Sequence, residues 1–284
     1  MVSQHMAVNR DALGQLDRVK FWRAQRYDAL ECLSASFHSH KYAPHTHDTY
    51  VVGTIVGGCE QFTIGGVLYR AKAGDLVFVN PGEVHDGEPG SDHFAYRMTY
   101  PSVGLVKSLA VDLFYRNKLQ APHFREPVVH DPDMAELFAN AHKALEKSGN
   151  KLEADTAFVT VLSMLLTRYS DYGPARELNG VETGPIRRVK DYLDAYYAED
   201  VELAELAEIA GLSRHYLIRA FRKATGMTPH AYLTDRRIDA ARNMLRSGLS
   251  PADVALRCGF FDQSHLTKVF KARIGVTPGE FKAQ

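Results

Sequence analysis

The sequence predicts an α+β protein of two domains, a small β-barrel followed by helices and then an all-α part. Three observations carry that prediction. A length of 284 residues exceeds what one domain usually holds. Residues 30–100 read as short β-type runs punctuated by turn residues, whereas helical periodicity takes over after Pro101. One pattern also occurs twice in the last quarter. Ala207-x3-Gly211-Leu212 returns as Ala255-x3-Gly259-Phe260, and Leu217-x3-Phe221, Gly226 and Thr228-Pro229 return as Leu266-x3-Phe270, Gly275 and Thr277-Pro278. A repeat on this scale means that one supersecondary unit was built twice.

Composition bounds the function. At 45% hydrophobic and 24% charged, the chain has the make-up of an ordinary globular protein. No apolar run approaches the ~18 residues that a membrane span needs, and the N-terminus has no charged-then-apolar leader pattern. The expected partners therefore include no membrane, and the expected location is the cytoplasm. Cys32, Cys59 and Cys258 are odd in number and far apart, which argues against a disulfide framework or a cysteine zinc site. The net charge of zero hides an asymmetry: residues 209–284 carry 13 Lys+Arg against 5 Asp+Glu. The basic excess sits on the repeated segment, as neutralisation of nucleic-acid phosphates requires.

The elements follow in order. Tyr50 to Val56 is a β-run ending at Gly57-Gly58, read as a turn. Glu60 to Ile64 then meets Val67 to Arg70 across Gly65-Gly66, a two-residue hairpin loop. Asp75 to Val79 runs into the turn Asn80-Pro81-Gly82, and Phe94 to Tyr100 is a further strand. Residues 103–116, 132–147 and 151–170 have helical periodicity. In the last of these, Phe158, Val161, Leu162, Leu165, Leu166 and Tyr169 form one stripe, a packing face or a dimer surface. Residues 171–184 read as an interdomain linker, after which Gly184-Pro185 opens a new helix.

In the repeated unit, Leu203 to Ala210 is a short helix, Gly211-Leu212 the turn, and Ser213 the N-cap of a helix from Arg214 to Ala224. Short helix, turn, second helix is the arrangement that places a recognition helix in a DNA major groove. Leu217, Ala220 and Phe221 share an inward face, with His215, Ile218 and Arg219 opposite. In the second copy Asp253 to Arg257 precedes the turn, Asp262 caps Gln263 to Arg273, and Leu266, Val269 and Phe270 point inward. Gln263, Ser264, Thr267 and Lys268 are left to read bases. Arg214, Arg222, Lys223 and Lys271 are placed for phosphates. Pro229 to Arg246 is long enough for a rigid connecting helix.

These residues carry a resemblance. Val254-Ala255-x3-Gly259-Phe260-x-Asp262-Gln263-Ser264-His265-Leu266-x-Lys268-x-Phe270-Lys271-x3-Gly275-x-Thr277-Pro278-x2-Phe281 resembles the signature of the AraC/XylS transcription regulators. Leu266, Lys268 and Phe281-Lys282 stand where the family more often has Phe, Arg and Tyr-Arg, all changes that keep apolar or basic character. The resemblance implies a DNA-binding domain at 185–284 with two helix-turn-helix motifs. It also implies base readers at His215, Ile218, Arg219, Gln263, Ser264 and Lys268.

Pro44-His45-Thr46-His47 and Gly74-Asp75-x5-Pro81-Gly82-x2-His85 resemble the two halves of a cupin motif. A cupin-like effector-binding and dimerisation domain at 1–172 follows, joined by a linker at 173–184. The metal-binding form of the motif places a Glu four or five residues after the second His. Val51 and Val52 occupy those positions here, and Glu60 lies too far along. No cofactor is therefore expected; if a metal bound, His45, His47 and His85 would hold it. The expected effector pocket is lined by His45, His47, His85, Tyr96 and Arg97. The implied function is a ligand-responsive regulator, an activator, acting on double-stranded promoter DNA with RNA polymerase. It would be a homodimer joined through the helices after the barrel. The alternative is a metal-dependent cupin enzyme fused to a DNA-binding module.

Overall fold

The computed structural model describes residues 14–27, 29–114, 120–147, 150–173 and 183–282. The chain divides into two compact units, Met1–Glu146 with Ala157–Glu177 and Lys147–Thr156 with Leu178–Gln284. Most of the linker expected at 173–184 lies outside the described residues.

The first unit is a rolled antiparallel sheet of eight strands: β1 (Arg18–Ala24), β2 (Leu30–Phe37), β3 (Tyr42–His45), β4 (Val51–Ile64), β5 (Val67–Lys72), β6 (Asp75–Val79), β7 (His85–Tyr100) and β8 (Val128–His130). The path runs β1-β2-β7-β4-β6-β8, with β3 paired to β7 and β5 to β4. The two long strands each serve two neighbourhoods. β4 pairs with β6 over Val51 to Thr54 and with β5 over Cys59 to Ile64, while β7 follows it along nearly its whole length. Alternation sends Leu33, Phe37, Val51, Ile55, Phe62, Val77, Val79, Phe94, Tyr96, Met98 and Tyr100 into one buried core between the folded halves of the sheet.

Gly57-Gly58 departs from expectation. It is a bulge inside the 14-residue β4, with the register shifting between Ile55 and Gly57 and again between Gly58 and Glu60. Gly58 is left-handed (φ 66°), and a Cβ there would stand 1.9 Å from the His93 carbonyl oxygen. The strand therefore bends here and continues, because β7 stays paired on its far side. Gly65-Gly66 does turn, at φ 57° and 83°, the double positive φ that a tight hairpin demands.

Three helices complete the first unit: α1 (Val103–Phe114), α2 (Pro132–Glu146) and α3 (Lys151–Tyr169), the last of which also runs into the second unit. α2 covers the outer side of the sheet, where the His142 ring reaches the Met98 carbonyl at 3.0 Å and packs edge-on against Trp22. The stripe on α3 is a packing face: Phe158, Val161, Leu162, Leu165 and Leu166 are all buried within the chain, with Phe158 against Tyr27. It offers no surface for a second copy, which corrects the dimer reading of that stripe.

The second unit is helical: α4 (Thr183–Ala195), α5 (Leu203–Ala210), α6 (Arg214–Thr225), α7 (Pro229–Arg246), α8 (Pro251–Arg257), α9 (Gln263–Ile274) and α10 (Pro278–Lys282). The caps explain the boundaries. Ser213 accepts the Tyr216 amide at 3.2 Å, and Asp262 accepts that of His265 at 2.6 Å. Gly211 and Gly226 close α5 and α6 in the left-handed conformation. α7 is the connecting helix, and its Ile238, Ala241 and Leu245 share one core with Val254, Ala255, Phe260, Leu266 and Phe270 of the second motif.

Candidate functional site

The second helix-turn-helix presents its reading face to solvent. Leu266 and Phe270 anchor α9 in the core, while Gln263, Ser264, Lys268 and Lys271 are exposed. Thr267 is half-buried and its hydroxyl donates to the Gln263 carbonyl at 2.8 Å. The first motif differs. Arg222 and Lys223 are exposed, and Arg214 and Arg219 are half-buried, but His215 and Ile218 are only 4% and 5% exposed.

The buried positions of α6 run from Ala220 through Phe221 and Ile218 to His215, an arc of about 220° at 100° per residue. Ile218 is apolar, and burial pushes the His215 imidazole down to about 4, so both enter an interior without carrying charge. Of the base readers expected in the first copy, only Arg219 reaches the surface in this conformation.

In the first unit, strand register builds a cavity. His45 and His85 are direct cross-strand partners between β3 and β7. His47 follows two residues later, its carbonyl held by the Gly82 amide at 2.8 Å. The left-handed turn at Gly82 thus ties the two halves of the histidine pattern together. The three rings converge, with centroids 4.4 Å (His45–His85), 4.8 Å (His45–His47) and 5.2 Å (His47–His85) apart.

The cavity they border has a volume of about 50 Å³, and Tyr42, Glu60, Asp86, Tyr96 and Tyr100 also line it. The Tyr42 and Tyr96 hydroxyls share a hydrogen bond of 2.6 Å. Burial raises both phenols and that of Tyr100, and lowers the His85 imidazole. Burial alone pushes the Glu60 carboxyl up to about 8, so it is largely protonated at neutral pH.

Four of the five residues expected in the pocket are there: His45, His47, His85 and Tyr96. Arg97 is not. It alternates with Tyr96 and Met98, so it leaves the sheet on the opposite side, where its guanidinium meets Glu146 at 2.8 Å and His142 at 3.0 Å. Glu60 was set aside for its distance along the chain, yet the bend at Gly57-Gly58 carries it into the cavity wall, outside the histidine cluster itself. Its signal was present: Glu60, Phe62 and Ile64 alternate onto one face, and two of the three are apolar. Tyr42 and Tyr100 carried no such mark.

The AraC-like ligand binding domain family matches residues 29–162, and a helix-turn-helix domain family matches 206–284. The HTH-type transcriptional regulator YbfI of Bacillus subtilis (strain 168), itself described as uncharacterized, is 30% identical over 229 residues, 80% of this chain and 82% of that protein. The chain belongs to the AraC family of transcriptional regulators.

This AraC-family regulator is also 26% identical to the transcriptional activator RhaS of Yersinia pestis bv. Antiqua (strain Angola), over 86% of this chain and 90% of that one. Among solved structures, the C-terminal domain of AraT, a response regulator from Geobacillus stearothermophilus, is 26% identical and covers 37% of this chain and 88% of that chain, with a TM-score of 0.35. The regulator pairs a ligand-binding-type sheet domain with a DNA-binding helical domain, and its relatives point away from the enzyme alternative. Among the described residues, no helix is long and apolar enough to cross a membrane.

Proposed function

We propose that this regulator activates transcription in response to a small molecule taken up by its sheet domain, reading two successive major-groove segments of promoter DNA. Residues 1–172 form the sensing part, 185–284 the DNA-binding part, and 173–184 the joint between them. The observation that carries the reading is the capped, solvent-facing helix α9, with Gln263, Ser264 and Lys268 on its open side. Lys268 suits a guanine edge and Gln263 an adenine edge. Thr267 borders that face, and Lys271, Arg222, Lys223 and Arg214 supply phosphate contacts. Arg219 is the reader of the first motif.

An activating role, with RNA polymerase as a partner, is supported by likeness to the activator RhaS. A homodimer is part of the proposal, joined by exposed residues of α1 and α2 rather than by the enclosed stripe of α3. The effector contacts are His45, His47, His85 and Tyr96, joined by Glu60 and Tyr42.

Footprinting on the promoter next to its own gene is expected to show two protected segments about one helical turn apart. Lys268→Ala should relax base preference in one segment only, and Arg219→Ala in the other, each costing about 1–3 kcal/mol at its own site. Lys223→Ala should instead weaken binding to all sequences and lower the salt slope by about one unit. Equal loss in both segments from Lys268→Ala contradicts separate reading. No protection at moderate salt defeats the proposal.

A further inference from the structure

We propose, on the reading of α9 as a groove-reading helix, that Phe261 selects thymine in the DNA segment taken by the second motif, its ring resting on the 5-methyl group. The two copies of the helix-turn-helix single out this residue by differing in length. Ala207, Gly211 and Leu212 stand 48 positions before Ala255, Gly259 and Phe260, whereas the N-caps Ser213 and Asp262 stand 49 apart. The second turn therefore holds one residue more than the first, and that residue is Phe261.

Up to that point the copies fold alike. Gly211 and Gly259 are both left-handed, at φ 69° and 72°. The next amide, of Leu212 or of Phe260, donates to the Ala207 or Ala255 carbonyl at 2.9 Å in each copy. Leu212 then passes directly to its cap, while Phe260 is buried. The added Phe261 goes the other way: at 76% it is more exposed than any other Phe, Tyr or Trp among the described residues. A large apolar residue just ahead of an N-cap can act as a staple on the fourth residue of the helix. Here that residue, Leu266, is fully buried while the Phe261 ring stays in solvent, so the staple is not made.

The backbone beneath the ring is tied down. The Phe261 amide donates to His265 Nδ1 at 3.4 Å, and the His265 amide donates to the Asp262 carboxylate at 2.6 Å. The imidazole in turn stands edge-on to Phe260. An aromatic ring on a fixed backbone loses little freedom when a partner covers it. What covers it follows from where it stands. The N-terminal end of a recognition helix comes nearest the bases, and Gln263 and Ser264 in the first turn of α9 are exposed. The apolar group that a base pair offers in the major groove is the thymine methyl. Phenylalanine has no hydrogen bond to give, so among the four bases it favours thymine. The first motif has no counterpart, because Ser213 follows Leu212 directly.

Full-length protein is used to select sites from a pool of random-sequence duplexes. Each thymine of the enriched site is then replaced singly by deoxyuridine, which removes the methyl group and keeps every hydrogen-bonding group. For the parent, one replacement in the segment disturbed by Lys268→Ala should weaken binding about fourfold, the worth of one buried methyl. Phe261→Ala should bind the thymine and uracil forms equally, with an unchanged salt slope because no phosphate contact is lost. Phe261→Leu should restore part of the discrimination. Phe261→Ala should also melt with the parent; a clear fall assigns the ring to packing and overturns the proposal. An enriched site in which no uracil replacement separates the parent from Phe261→Ala overturns it too. So does a Phe261→Ala protein that keeps the discrimination but loses activation, which assigns the ring to a protein partner. A pool with no enriched site defeats groove reading itself, and the role of Phe261 with it.

Discussion

Two glycines only seven residues apart make opposite demands on the chain. Gly58 is left-handed, with the His93 carbonyl in the space a Cβ would fill, whereas Gly65 is left-handed with nothing within 4 Å of its Cβ position. Gly65→Ala should therefore cost about 1–2 kcal/mol, the conformational penalty alone. Gly58→Ala must also part β4 from β7 and should cost at least twice that, read from urea midpoints of the two variants. Equal costs contradict the close approach. The same residue shows where sequence reading stops: Gly-Gly marks a turn or a bulge equally well, and only the strand paired alongside decides. Arg97 was undecidable for a related reason. Strand alternation fixes that Tyr96 and Arg97 part company, but a charged residue enters a cavity or leaves it according to partners on α2 that lie over forty positions away in the chain.

Among the elements, the helices were the most legible part. Ser213, Asp262 and Pro229 state their own roles, because a cap or an N-terminal proline acts within three residues. What covers a helix face is a different matter, and the burial of His215 and Ile218 on α6 depends on groups that a wheel does not contain. The relation between the two motifs is also non-local. Arg237 on α7 is buried, its Nε and Nη2 donating to the Tyr197 and Glu199 carbonyls at 2.7 Å each. The same segment passes the second turn so closely that a Cβ on Gly259 would stand 2.3 Å from the Ala198 carbonyl oxygen. Residues 197–199, just ahead of the first motif, are thus pinned to the connecting helix and to the second motif. Arg237→Met keeps the length but strands two carbonyls, at about 1–3 kcal/mol each. It should lower the melting temperature of the helical unit and weaken binding to a two-segment operator. A variant that melts and binds like the parent shows that the pin is idle.

Over the whole molecule, the shifted histidines predict how stability follows pH. Burial is the largest cause in every case, lowering His142 to about 3, His215 and His230 to about 4, and His40, His85 and His265 below their ordinary value of 6.5. Below pH 6.5 the unfolded chain takes up protons that the folded chain refuses, so stability falls as the pH drops, and it levels only near the folded values. Each unit of difference is worth about 1.4 kcal/mol at full effect. The carboxylates Asp17, Asp131 and Glu146, held below their usual range, continue the fall at lower pH. Glu60 runs the other way. Its folded carboxyl holds a proton up to about 8 against 4.5 when unfolded, so it costs stability as the pH rises between those values. Six histidines outweigh one carboxyl below 6.5, and above it only Glu60 acts among these groups. The melting temperature in EDTA-treated protein should therefore peak near pH 6.5 and fall on both sides. Glu60→Gln should flatten the alkaline limb, because an amide has no proton to lose, and should leave the acid limb in place. A melting temperature that stays level from pH 7 to 5 rules out neutral burial of these imidazoles.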